Sequence, residues 1–223
     1  MLESQKHVFW QALLVTILIF GLGVFIGIIL ENLRTGKISE LYENSDIGLL
    51  DIKLQTEIYS IGNFNCEKAI QENINFADKI FEEAKILDRY EKANRLTQEI
   101  QLQHKKYDLL RTMLFLNSVK IKEKCKNSNY NYYEIVYFYD YVEPSFKIKA
   151  KQSVFSKLLN ELKEKKGAEI LLIPIAGDND ISAVKIIMEK YNIKEQELPV
   201  ILIDRKTKLT EIQTINELMK YFY

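Results

Sequence analysis

The sequence predicts an α/β domain that follows an α-helical hairpin and one N-terminal transmembrane helix. Three observations support this order. A long apolar segment lies near the N-terminus, the middle of the chain has helical apolar spacing without glycine or proline, and aromatic and β-branched segments alternate with helical ones from residue 132 onward. The 223 residues are enough for one or two modest domains with their own cores.

The composition excludes several classes of function. Lys plus Arg and Asp plus Glu number 31 each, so the formal net charge is zero, which argues against general nucleic-acid binding. Charged residues make up 28% and hydrophobic residues 47%, as in folded proteins. The two cysteines and two histidines are too dispersed for a zinc site, and we expect no cofactor.

Residues 8–30 form the predicted transmembrane helix, after an N-terminal tail at residues 1–7. The segment contains no ionisable residue, and its length as a helix, about 35 Å, crosses a bilayer core. A cleaved signal peptide is the alternative, although the following ENLRTGK offers no A-x-A-like cleavage site. The first expected partner is therefore the lipid bilayer.

Only a few residues bear on the orientation of this segment in the membrane and on its self-association. Lys6 precedes it and Arg34 and Lys37 follow it, so the positive-inside rule is nearly balanced. Because most of the chain lies after the span, we expect a cytoplasmic N-terminus and an extracytoplasmic C-terminal body. Gly23 and Gly27 form a G-x-x-x-G motif, which is compatible with a homodimer through the span, although the motif is also common by chance in apolar helices.

A juxtamembrane helix at residues 31–62 and an antiparallel helical hairpin at residues 63–127 are predicted next. Leu41, Leu49, Ile52 and Tyr59 recur near helical spacing, although Gly48 weakens the pattern. The Gly-Asn pair at residues 62–63 ends the first helix, and an asparagine at position 63 or 65 caps the next.

The two cysteines lie at the two ends of the predicted hairpin. A turn is expected near Asn94, and the midpoint of Cys66 and Cys125 falls between Arg95 and Leu96, so folding there brings the thiols together. This predicts a disulfide, which persists in an oxidising compartment. Two buried free thiols remain an alternative, as does one unbroken helix with the thiols nearly 90 Å apart.

Residues 130–223 predict a β-α-β-α-β-β-α domain. The first two strands are joined by a helical crossover and should be parallel, whereas a tight turn makes the last two antiparallel. The result is a mixed four-stranded sheet with helices on both faces. The predicted strands are residues 132–139, 168–177, 199–204 and LTEIQ at 209–213, and the helices are 148–167, 181–193 with Asp180 as its cap, and 214–223.

This arrangement resembles the thioredoxin superfamily across residues 132–223. The most specific match is MEKYNIKEQELPVILID, in which a helix and a short loop lead to a proline that opens a strand. The resemblance implies a cis peptide bond between Leu198 and Pro199, next to the family's redox site. A trans proline that starts an edge strand is the alternative.

The family's C-x-x-C motif is absent from this chain. It would follow the first strand, where the sequence is DYVEPSFK, and Ser145 cannot accept and release a disulfide. The resemblance therefore implies a peptide-binding surface without dithiol chemistry, where an extended segment pairs with the backbone beside the proline. The expected surface comprises Tyr139, Tyr141, Pro144, Phe146 and Leu198, with ordinary core packing as the alternative for the strand tyrosines.

Two other clusters predict no site. GDNDIS at residues 177–182 lacks the spacing of a calcium loop, and a turn with a helix cap explains it. His104 with Glu99 or Asp108 is typical of a solvated helix face.

Three functions are compatible with this sequence. We favour a non-catalytic, membrane-anchored protein that binds or positions a protein or peptide partner at the membrane surface. The alternatives are a thiol–disulfide redox partner that uses Cys66 and Cys125, and a purely structural subunit of a membrane assembly.

Overall fold

The computed structural model describes residues 2–93, 98–126 and 132–222, and the chain divides into two units at residues 1–44 and 45–223. Helix α1 runs over Leu2–Ile61. It contains Val8–Leu30, with a mean hydropathy of 3.0, which is long and apolar enough to cross a membrane by length and composition. No helix break separates this span from the juxtamembrane segment that follows it.

The helical hairpin consists of α2 at Cys66–Ala93 and α3 at Gln98–Lys124. The Asn65 side chain caps α2 by accepting a 3.0 Å hydrogen bond from the Lys68 amide. A disulfide joins Cys66 to Cys125, with a Cα–Cα distance of 5.7 Å. The predicted disulfide is thus confirmed and the unbroken helix is wrong, while the predicted turn at residues 94–97 lies outside the described residues.

Four strands form the predicted mixed sheet. They are β1 (Tyr133–Tyr139), β2 (Ile170–Ala176), β3 (Val200–Ile203) and β4 (Thr207–Leu209), and they lie in the order β2-β1-β3-β4. The β1–β2 pair is parallel, and the β1–β3 and β3–β4 pairs are antiparallel. The intervening helices are α4 (Phe146–Lys166), α5 (Ser182–Lys190) and α6 (Ile215–Met219).

Two predicted details of this domain are wrong. The last strand ends at Leu209 rather than covering LTEIQ, because the tight turn is already made at Asp204 and Arg205, both with positive φ. These left-handed residues start the returning strand earlier in the sequence. Asp180 does not cap α5; its carboxylate forms an ion pair with Lys185 instead.

The alternation of side chains along β1 gives the sheet two apolar faces. Val136 and Phe138 belong to a core shared with α1, the hairpin and α5. Ile135 and Tyr137 belong to a second core under α4 and α6. Helix α3 packs against β2, the edge strand of the sheet.

Candidate binding site at the carboxyl ends of β1 and β2

The segments that follow β1 and β2 are fixed to each other by backbone hydrogen bonds. The two strands are parallel, so their carboxyl ends meet at one edge of the sheet. The Asp178 carboxylate accepts hydrogen bonds from the amides of Tyr141 and Val142, at 2.8 and 2.7 Å. The Gly177 amide donates to the Tyr139 carbonyl at 2.8 Å. The segment between β1 and α4 is therefore held in one position by a carboxylate.

Gly177 lies directly against the loop that precedes β3. A Cβ atom at this position would lie 2.9 Å from Leu198 Cδ1 and 3.1 Å from Met188 Sδ. The absence of a side chain thus permits the close approach of the two loops. The peptide bond between Leu198 and Pro199 is cis.

Leu198 does not belong to the surface on which the sequence analysis placed it. Its side chain is 5% exposed and packs in the core. Its amide donates a hydrogen bond to the Glu195 carbonyl at 3.2 Å. An extended peptide would need this amide for strand addition, so the expected backbone pairing beside Leu198 is not supported by the geometry.

A cleft of about 380 Å³ lies between the hairpin and α4, with β1 and β2 as its floor. This volume lies in the range of sites that hold small ligands or buried side chains. Its aromatic lining comprises Phe81, Tyr107, Tyr137, Tyr139, Tyr141 and His104. Arg111 and Gln152 add polar groups to the lining.

His104 forms part of the wall of this cleft rather than a solvated helix face. It is 8% exposed, and its ring stacks on Tyr141 with centroids 3.6 Å apart and 18° between the planes. The His104 Nε2 atom lies 2.7 Å from the Tyr139 hydroxyl, which Arg111 also contacts by a hydrogen bond. Because the guanidinium can only donate, the Tyr139 hydroxyl oxygen accepts the hydrogen bond from Arg111.

Asp108 anchors the wall of the cleft to the sheet. Its side chain is fully buried, and its carboxylate accepts hydrogen bonds from the Ala176 amide at 3.2 Å and from Asn179 Nδ2 at 2.9 Å. Arg111 Nη1 lies 3.3 Å from the same carboxylate. A buried carboxylate needs such donors and a countercharge, and these contacts fix α3 against the end of β2.

Asp140 and Asp178 form a carboxyl pair at the same edge of the sheet. Burial, the hydrogen bond to Asp178 and the charges of Asp178 and Glu195 raise the pKa of Asp140 to about 6. Two neighbouring carboxyls favour sharing a proton over ionising together. The backbone carbonyl of Asp140 also accepts a 2.6 Å hydrogen bond from Gln152, which joins the pair to α4.

The structure brings together only part of the predicted site. Tyr139 and Tyr141 line the cleft, whereas Phe146 is 89% exposed at the start of α4 and Pro144 is half-buried in the preceding segment. Val142 was not selected from the sequence. It lies between Tyr141 and Pro144 in the chain, and its side chain is 50% exposed.

Three site residues were missed by sequence reasoning. Asp178 lies two residues after the end of β2, which is parallel to β1, and that position was a usable signal for it. Arg111 lies between apolar residues of a helical stripe, where a charged side chain needs a partner. Asp108, which supplies that partner, had been assigned to a solvated face.

The disulfide lies apart from this site, since neither cysteine is among the described residues that line the cleft. Cys125 is 7% exposed and Cys66 is half-buried, as expected for a structural bond. Comparisons with protein-family models, with curated proteins and with solved structures found no match.

Proposed function

We propose that this chain is a membrane-anchored, non-catalytic protein whose C-terminal domain has a thioredoxin-like fold and binds a protein partner. The mixed sheet in the order β2-β1-β3-β4, the helical crossover between β1 and β2, and Pro199 directly before β3 support the fold.

The observation that carries this proposal is the segment between β1 and α4. At residues 140–147, where redox members of the family hold cysteines, this chain has none. Instead, Asp178 fixes the segment, and Val142 and Phe146 extend from it into solvent. Exposed apolar groups on a rigid support are typical of binding surfaces, because little conformational freedom is lost when a partner covers them.

The cleft gives this surface a pocket. Tyr141 belongs to the rigid segment and also stacks on His104 in the wall of the cleft. An apolar or aromatic side chain of the partner enters the cleft, while Val142 and Phe146 contact the partner outside it. Binding in this form relies on side chains and does not require strand addition beside Leu198.

The span and the disulfide support a place for the domain outside the cytoplasm. A single-pass anchor at residues 8–30 with a cytoplasmic N-terminus puts the disulfide on the oxidising side, where such bonds persist. Alkylation of intact cells with an impermeant maleimide tests this. We expect labelling of both cysteines only after a reductant is added, and labelling that also requires permeabilised cells would contradict the orientation.

Photocrosslinking tests the partner surface. Replacing Phe146 with the photoreactive amino acid p-benzoylphenylalanine should give a discrete adduct with another protein on irradiation of native membranes. The matched control places the same probe at Ile186, which is 66% exposed on α5. Adding Tyr141→Ala to the Phe146 probe should lower the adduct yield, because the wall of the cleft is lost. Equal adducts from both probe positions, or none from Phe146, would count against the proposal.

A further inference from the structure

The outer face of α1 carries an apolar stripe that the fold leaves uncovered. Its members are Ile47, Leu50, Leu54, Ile58 and Ile61, and each is between 58% and 83% exposed. The successive spacings are three, four, four and three residues, so all five side chains lie on one side of the helix.

The stripe cannot be buried by a rotation of the helix within its own domain. The opposite side of α1 is already occupied, because Ile52 and Tyr59 lie in the core. Thr56 on the same side donates a 2.6 Å hydrogen bond to the Asn117 side chain of α3. This part of α1 is therefore apolar on two sides, which is typical of a helix with a neighbour on each.

We propose that the stripe of α1 pairs with the same stripe of a second copy of this chain, as a short parallel coiled coil. Ile47, Leu50, Leu54 and Ile61 have the a and d spacing of a heptad repeat, which keeps two supercoiled helices in contact. The remaining d position is Glu57, and Ile58 lies one residue after it. A second copy supplies a helix of the same period. In this parallel arrangement, equivalent residues of the two helices meet in a symmetric interface.

The size of the stripe explains why the pairing depends on the membrane. Five such side chains form a patch of roughly 500 Å² on each copy, near the upper size found on monomeric proteins. Two patches together bury about 1,000 Å², the lower limit for a specific interface. Anchoring in one bilayer raises the effective concentration of the second copy and favours a contact of this size. The inference thus rests on the proposed anchor but not on the partner surface.

Disulfide crosslinking of full-length protein in its own membranes tests the pairing. The described residues include no free cysteine, so an introduced thiol at a described position has no competitor among them. Ile58→Cys lies on the stripe, and Ile212→Cys is a matched control at an isoleucine that is 52% exposed elsewhere in the domain. Under mild oxidation we expect a covalent dimer of twice the chain mass from Ile58→Cys, at several-fold higher yield than from Ile212→Cys.

A second variant checks that the apolar contact is responsible. Leu54→Asp in the Ile58→Cys chain should lower the dimer yield several-fold while leaving the Cys66–Cys125 disulfide intact. Monomer alone, equal yields from the two introduced cysteines, or an adduct of another mass would overturn the inference. Carbonate extraction of the same membranes tests the anchor separately, and extraction of the chain would also overturn the inference. Neither experiment depends on the crosslinks from the Phe146 probe.

Discussion

Removal of the disulfide should destabilise the folded domain by a predictable amount. The perturbation is the double substitution Cys66→Ala and Cys125→Ala in the full-length chain. The bond joins the beginning of α2 to the end of α3 and closes a loop with a sequence separation of 59 residues. Without it, the unfolded chain regains the freedom of this loop, while the folded hairpin keeps its packing.

The expected loss follows from the loop length. In the chain-entropy model, a loop of about 60 residues corresponds to about 4 kcal/mol of stabilisation at 25 °C. For a unit the size of residues 45–223, a loss of this magnitude lowers the midpoint of thermal unfolding by roughly 8–16 °C. Cys125 is buried, so its truncation adds a smaller packing loss in the same direction.

Thermal unfolding of the purified full-length protein in detergent, followed by circular dichroism at 222 nm, measures this loss. The wild-type protein in reductant is the control, because it breaks the same bond without changing the side chains. Both samples should unfold at similar, lowered midpoints. A shift of less than about 2 °C in both would refute the reasoning, since it would mean that the loop is already restricted in the unfolded chain.

Three further predictions concern the site and its support. Gly177→Ala should cost about 1–3 kcal/mol, because its Cβ would lie 2.9 Å from Leu198, and chemical denaturation measures this cost. Glu134→Ala should cost about 3 kcal/mol, because Glu134 is fully buried and its carboxylate lies 2.9 Å from Arg205 Nε; a double-mutant cycle with Arg205→Ala should show coupling. Asp140→Asn should raise the midpoint of thermal unfolding at pH 7.5 and flatten its pH dependence between about pH 4 and 6.

The contacts of Asp140 and Asp178 determine how the stability of the domain changes with pH. Since the pKa of Asp140 is raised in the folded state, its contribution to stability is present when the carboxyl is protonated and is lost as the pH rises through about 6. Asp178→Asn should be destabilising instead, because one amide oxygen cannot replace the two oxygens that bind the Tyr141 and Val142 amides. Gly62→Ala serves as the glycine control, since no atom lies within 4 Å of its Cβ position.

Local sequence patterns were sufficient to predict most of the fold. The parallel pairing of β1 and β2 follows from the helix between them, and the hairpin follows from apolar spacing and the placement of two cysteines. The end of the last strand was missed because Asp204 and Arg205 adopt positive φ, which the residue types did not indicate. Gly48 weakens the helical pattern around it in the sequence, whereas in the structure it lies inside α1, where a side chain would meet Phe76 and Leu110.

The site was harder to predict because its members come from distant parts of the sequence. His104 and Asp108 were recognised as neighbours on one helix, but their partners Tyr139 and Asn179 lie on β1 and after β2. Helical spacing alone cannot distinguish a polar pair that faces solvent from one that faces a sheet edge. The buried Arg111 on the same helix was the clue that this side of α3 faces protein.

The contacts of α3 also make it possible to distinguish a structural disulfide from a redox switch. Arg111 lies 14 residues before Cys125, about 21 Å along the helix. Between them α3 is held to the sheet by Ser118, which donates a 2.6 Å hydrogen bond to Glu134, and by Lys122, 2.6 Å from Asp204.

These contacts should keep the wall of the cleft in place when the sulfurs are separated. We therefore expect Cys66→Ala with Cys125→Ala to leave the adduct yield of the Phe146 probe unchanged at 25 °C, although the same protein unfolds at a lower temperature. A loss of the adduct while the domain remains folded would show that the bond controls the binding surface, in which case the redox alternative would replace the structural role argued for these cysteines.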